Sequence, residues 1–460
     1  MCDFGSKNSD PLDETYQAPY FVIGIFLVYF WSQLWIKLVA WKPALRTKER
    51  FVNFWVFTSI ALVYFYVLGV KGMYKEVLEP TKWLDPEKTE FYVERIIAKD
   101  LAVCNDTKED QEAFKNWEEE AKLDQGLRWM SILSPVWTFG TIVVCLAHTY
   151  FHVDRVHKNN VAISETQDSE KVYALSEANI SHESIIWVLA LPAIYGLMAM
   201  KSVIRMQQVA VNHIGTNGVK RFRNYDHREF LLTQISETNA YVGDFYETWC
   251  LIALGRLLLR MLAKATDKQA EDFFMGGAKG KKGLGAVKED LTEPLVGAVD
   301  EVSMVGIKSF YFVCVLQAIW YIFGCQMTYS GFEPKYFKMG SNDEGNGIFW
   351  QSKFYDPAYY LDYGAGLVAS CVAIYDLIAL EHHFLKFYEK IDFEKVKAKF
   401  WATKVLVSLA FLQSIVKHLM PLSEVRANLL FSSLLCIECF FIAILHIYAW
   451  GHDENWLAVK

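Results

Sequence analysis

The sequence predicts an all-α fold, a polytopic bundle of membrane-crossing helices. Two observations carry this. Apolar residues make up 53% of the 460-residue chain, and they come in long blocks, not in the short alternating runs of a soluble domain. Nine blocks reach the ~20 residues that a helix needs to cross a bilayer, at 20–41, 51–74, 129–152, 184–206, 240–263, 304–328, 359–384, 400–421 and 427–450.

Residues 1–19 form a polar tail with Asp3, Asp10, Asp13 and Glu14. That tail has neither the basic start nor the small-residue cleavage site of a signal peptide, so the first span reads as a retained anchor. Behind it Lys42, Arg46, Lys48 and Arg50 form a short basic loop, which the positive-inside rule places in the cytoplasm. The N-terminus is then external or lumenal, and nine crossings leave the tail 451–460 cytoplasmic, in a plasma membrane or endomembrane. Lys386, Lys390, Lys395, Lys397 and Lys399 in the expected loop 385–399 agree with this orientation. Lys220, Arg221, Arg223 and Arg228 in the expected external stretch 207–239 disagree, but short loops weigh most in the rule. Residues 75–128 form an acidic external loop, with fifteen acidic residues against nine basic ones. Its Asn105-Asp106-Thr107 is a glycosylation sequon on the side where a glycoprotein is modified.

Several function classes drop out. The net charge of −7 is spread over loops and argues against nucleic acid as a partner. The nine cysteines lie mostly inside spans, so no disulfide framework is expected. Cys436 and Cys439 have metal-like spacing but no second pair, and cysteine in an apolar helix packs as a small hydrophobe. The glycine-lysine tract at 276–285 fits no phosphate-loop register and reads as a flexible linker. No nucleophile motif and no ATP-binding motif stand out. No enzyme activity, metal or cofactor is expected.

The informative residues are polar ones inside spans. Lys404 and Gln413 interrupt the eighth span, Glu438 and His446 the ninth, Glu247 the fifth and His148 the third. At 1.5 Å per helical residue, Gln413, Glu438 and Glu247 lie about 20 Å from the cytoplasmic face, and Lys404, His446 and His148 about 6 Å from it. This predicts a carboxylate layer above a basic layer. An ionisable group in hydrocarbon is costly enough that it is read as functional by default. Plainer roles remain open, because Lys404 and His148 are shallow enough to snorkel to the headgroups and Gln413 can simply bond a neighbouring helix. Gln413 and Glu438 sit on antiparallel helices joined by a short turn, so an amide–carboxylate hydrogen bond between them is expected.

The same residues carry a family resemblance. The spacing of Lys399-Phe400, Lys404 and Phe411-Leu412-Gln413 resembles the signature of the family containing transmembrane protein 184 and the organic solute transporter alpha subunit, with Leu412 where that pattern has Trp. Cys436-Ile437-Glu438-Cys439-Phe440, followed by His446 and Tyr448, is similar to its last helix. Pro192, Ile194 and Tyr195 resemble its Pro-Ile-Tyr helix with Ala193 inserted, and Asp244-Phe245-Tyr246-Glu247 resembles its Cys-Tyr-Glu segment. The resemblance implies seven family-like transmembrane helices over 129–450, with 20–74 as an added N-terminal two-helix hairpin. It implies facilitative or exchange-type transport of amphipathic organic solutes, sterol-derived or other lipophilic anions. The implied partners are a small amphipathic solute or lipid, and a single-span beta-type subunit or a second copy of the chain. Tyr195 joins Glu438, Gln413, Glu247, Lys404, His446 and His148 as a substrate-binding candidate. The transmembrane protein 184 branch implies an alternative, a non-transporting membrane protein in receptor-like signalling or a membrane-trafficking scaffold.

Overall fold

The computed structural model describes residues 50–74, 125–212, 225–276, 305–329, 364–366, 368–376, 378, 395–419, 424–451, 454 and 457. Among the described residues the regular structure is helical. In chain order the helices are α1 (Arg50–Met73), α2 (Gln125–Ile132), α3 (Ser134–Glu165), α4 (Ser169–Leu189), α5 (Leu191–Asn212), α6 (Tyr225–Gly276), α7 (Val305–Tyr329), α8 (Val396–Leu419) and α9 (Glu424–Ala449). A short apolar helix, Gly364–Asp376, stands between α7 and α8. The expected first span at 20–41 and the loop carrying Asn105 lie outside the described residues.

Four helical stretches are long and apolar enough to cross a membrane among the described residues: Phe51–Met73, Gly126–Glu165, Ser169–Gln207 and Arg426–Ala449. Their packing is that of a bundle in lipid. On α3 the outward residues Val136, Phe139, Val143 and Tyr150 are exposed, whereas Thr138, Thr141, Cys145, His148 and His152 are buried. These two sets recur at helical spacing on opposite faces. A soluble helix would have them reversed. Without a hydrophobic drive between helices, association in a membrane relies on close packing of small residues and on inter-helical hydrogen bonds. Gly140 shows the first device, since a Cβ there would come within 2.9 Å of the Phe440 ring on α9.

α5 is the hub. It packs against α6 and α9, with α1 and α3 also in contact, and Leu197, Met198, Met200, Val203 and Met206 are all at most 2% exposed. α4 and α5 meet at Ala190, ahead of Pro192. The kink expected mid-span is a break between two helices: Pro192 has no N–H to give Val188, and the Ala190 N–H turns to the Ile186 and Val188 carbonyls. The proline therefore falls in the first turn of α5, where its missing donor costs least.

Helix also extends into four stretches between the expected spans. α3 runs on to Glu165 and α4 begins at Ser169, so 153–183 is a helical hairpin with a tight turn. Asp168 caps α4 by accepting from the Glu170 N–H at 3.0 Å, the usual service of an aspartate at that position. α6 has 52 residues, about 78 Å at 1.5 Å per residue, so 225–239 and 264–276 extend the fifth span as helix. Residues 396–399 belong to the first turn of α8, not to a basic loop.

α1 lies at the periphery, and none of its apolar window is buried. It is tied to α3 at two points, where Trp55 Nε1 donates to Thr149 Oγ1 at 3.1 Å and the Tyr66 hydroxyl to the Pro135 carbonyl at 3.0 Å. Removing residues 1–74 should therefore leave the remaining helices folded. A purified truncation with unchanged helical content and a monodisperse elution profile is the expected result. Loss of all folded protein would make the hairpin integral to the bundle.

Candidate functional site

The best-defined polar contact at membrane depth joins α8 and α9. Gln413 Nε2 donates to both Oε1 and Oε2 of Glu438, each at 2.6 Å. This is the amide–carboxylate bond that the spacing predicts. Both side chains are half-buried. A carboxylate offers about four lone-pair positions, so the amide leaves acceptor capacity on Glu438. Leu412, next to Gln413 on α8, and Leu445, two turns on from Glu438 on the same face of α9, are exposed apolar side chains. The seam between α8 and α9 thus carries a polar pair beside exposed apolar side chains.

A second polar group lies on the other side of α9. The Tyr195 hydroxyl on α5 donates to Asp244 Oδ1 on α6, and Glu247, one turn along α6, is 3% exposed. Gly243 permits this approach, because a Cβ there would lie 3.1 Å from the Tyr195 ring. Next to Tyr195, a Cβ on Gly196 would sit 3.4 Å from that of Cys439, the neighbour of Glu438. Through Gly196 and Cys439 the α5–α6 group abuts α9 next to Glu438. The two polar groups do not form one cluster, because α9 stands between Glu438 and the α5–α6 group.

The expected basic layer resolves differently. His148 Nε2 donates to the Trp450 carbonyl at 2.6 Å and His446 Nε2 to the Ala402 carbonyl at 3.1 Å. Both rings are buried, at 7% and 1% exposed. His148 is thus not a snorkelling side chain, and both histidines tie neighbouring segments together through backbone. Lys404 lies on α8, nine residues before Gln413; its side chain is outside the described residues.

Two further arrangements escaped the sequence reading. Lys399, expected in a loop, is 1% exposed and its Nζ lies 2.6 Å from Glu454 Oε2, itself 10% exposed. Glu454 Oε1 also accepts the Gly451 N–H at 3.0 Å, and the Lys399 ammonium lies 5.6 Å from the Trp450 ring centroid. Leu457 is buried in the core cluster, so Glu454 and Leu457, in the expected tail, both meet the bundle. The other arrangement is His152 against His182, Nδ1 to Nδ1 at 3.0 Å, both buried. Their signal in the sequence is weak, for both lie at or beyond the edges of the apolar blocks. No group of three or more histidine, cysteine or acidic side chains among the described residues is placed to hold a metal.

This placement of α8 and α9 residues can be set beside known proteins. Residues 229–455 match the family model Organic solute transporter Ostalpha. Over that stretch this chain belongs to the organic solute transporter alpha family. The match starts inside α6 and takes in α7, α8 and α9, so Asp244, Glu247, Gln413 and Glu438 fall within it. Tyr195, His148 and the whole of α1 lie upstream of it. No curated protein and no solved structure matches the chain. The Ostalpha family is a transporter family, in keeping with a role other than catalysis.

Proposed function

We propose that this chain moves an amphipathic organic solute across the membrane, down its gradient or by exchange, along the α8–α9 seam. The observation that carries the reading is the half-buried Glu438, midway along α9 and bonded to Gln413. A carboxylate in that position accepts hydrogen bonds from a solute's hydroxyl groups while the exposed apolar side chains around it meet the solute's body. The family model matched by residues 229–455 supports an organic solute, and sterol-derived or other lipophilic anions are the class proposed here. The solute's anionic end would lie toward Lys404, about 13 Å along α8 from Gln413. His148 and His446 then serve to fix α3, α8 and α9 relative to one another. A single-span beta-type subunit or a second copy of the chain is the protein partner this reading calls for.

A ligand that binds only the folded state raises apparent stability with its concentration. The unfolding temperature of the detergent-purified chain should rise with added hydroxylated sterol-derived anion. It should not rise with a short-chain carboxylate of equal charge. Equal shifts from both would leave charge alone, and not the amphipathic body, as what is recognised.

A further inference from the structure

Away from the α8–α9 seam, a cavity of about 180 Å³ lies between α1 and the bundle. Its walls come from α1 (Phe51 to Phe65), α3, α4, α5 and α6. Phe54, Trp55, Trp187 and Phe245 are among its lining residues, and no charged side chain lines it. Most of the polar groups in the wall are turned to the protein. Thr58 donates to the Phe54 carbonyl at 2.8 Å, Tyr246 to the Trp187 carbonyl at 3.0 Å and Trp55 to Thr149 at 3.1 Å. What the cavity presents is close to hydrocarbon. It exceeds the ~150 Å³ apolar cavity known to accept a benzene-sized guest, and left empty its lining forgoes dispersion contacts.

We infer that this cavity is a binding site for one alkyl chain of a membrane phospholipid. The outer face of α1 is a lipid-facing surface, with Phe57, Ile60 and Tyr64 each at least 58% exposed, so hydrocarbon is the medium around the cavity. Residues 51–65 span about 21 Å at 1.5 Å per residue, and one leaflet of hydrocarbon is about 15 Å deep. The cavity starts at the N-terminal end of α1 and therefore covers one leaflet, the reach of a single chain. With no charged group inside, the headgroup stays at the membrane surface. The site is separate from the α8–α9 seam, and α1, α3, α4 and α5 all lie upstream of the family match. It goes beyond the transport reading and does not depend on it.

The test uses the full chain in phosphatidylcholine vesicles doped with a phospholipid that carries a diazirine in mid-chain. After irradiation, labelled residues are mapped by peptide mass spectrometry. Label is expected on Phe57 and Ile60, and also on Ile186, Val242 and Met198, which line the cavity and are at most 5% exposed. Ala190→Trp and, from the opposite wall, Ala61→Trp should each lower the inner label severalfold and spare the outer label. The outer label also reports that each variant is folded. Label confined to Phe57 and Ile60, or inner label untouched by both variants, would overturn the assignment. Complete loss of inner label on adding free oleate would also overturn it, in favour of a free fatty acid.

Discussion

Glu438→Gln should leave the bundle folded and lower solute flux by about one to two orders of magnitude, if a hydrogen bond to a charged group is worth about 1.5–3 kcal/mol. The substitution keeps the shape of the side chain and a polar partner for Gln413, and removes only the ionisable group. Glu438 sits midway along α9, too deep to reach water by bending, and Gln413 meets both its oxygens. If the pair were structural glue alone, an amide–amide bond would serve nearly as well, because inter-helical hydrogen bonds in membranes contribute on average only about 0.6 kcal/mol. The two readings therefore separate on flux while agreeing on expression. A variant that transports like the parent on both sides of neutral pH would make Glu438 structural.

The second large effect is on stability. Lys399→Met should destabilise the chain by about 3–5 kcal/mol, the usual result of removing one partner from a buried ion pair. Lys399 and Glu454 are 1% and 10% exposed, so neither charge has water to fall back on. Lys399 also sits in the first turn of α8, where the helix dipole disfavours a cation; Glu454 offsets that. Glu454→Leu alone should be damaging for the same reason. The double substitution should recover most of the loss, because an apolar pair of similar volume replaces an ion pair at little net cost. Unfolding midpoints of the four proteins in one detergent give the cycle. Additive losses would show that the pair is not coupled.

Much of the architecture was legible in hydropathy, and the misses share a cause. Apolar blocks report where lipid is, not where helix ends. The polar arms of α6 and the hairpin 153–183 lie outside the apolar blocks for that reason. The Gln413–Glu438 bond could be seen because its partners lie on antiparallel helices joined by a short turn, at similar estimated depth. Lys399 could not be placed this way. It follows four other lysines, and its partner lies fifty-five positions on, beyond the last span. Depth placed His148 and His446 inside the bundle, but it carries no information on which way a ring points. Each turned out to meet a backbone carbonyl of another segment, a contact no residue pattern announces. The Pro192 break was foreseen in kind, since the missing N–H makes itself felt whatever packs around it.

Transport is tested by flux in vesicles that contain only this chain, with a beta-type subunit added if the chain requires one. A labelled hydroxylated sterol-derived anion is placed outside, with unlabelled solute inside in one arm and absent in the other, and no nucleotide in either. The account predicts saturable uptake above that of empty vesicles, accelerated by internal solute and reduced in the Glu438→Gln variant. Uptake equal to that of empty vesicles in both arms, from protein shown to be folded, would contradict it.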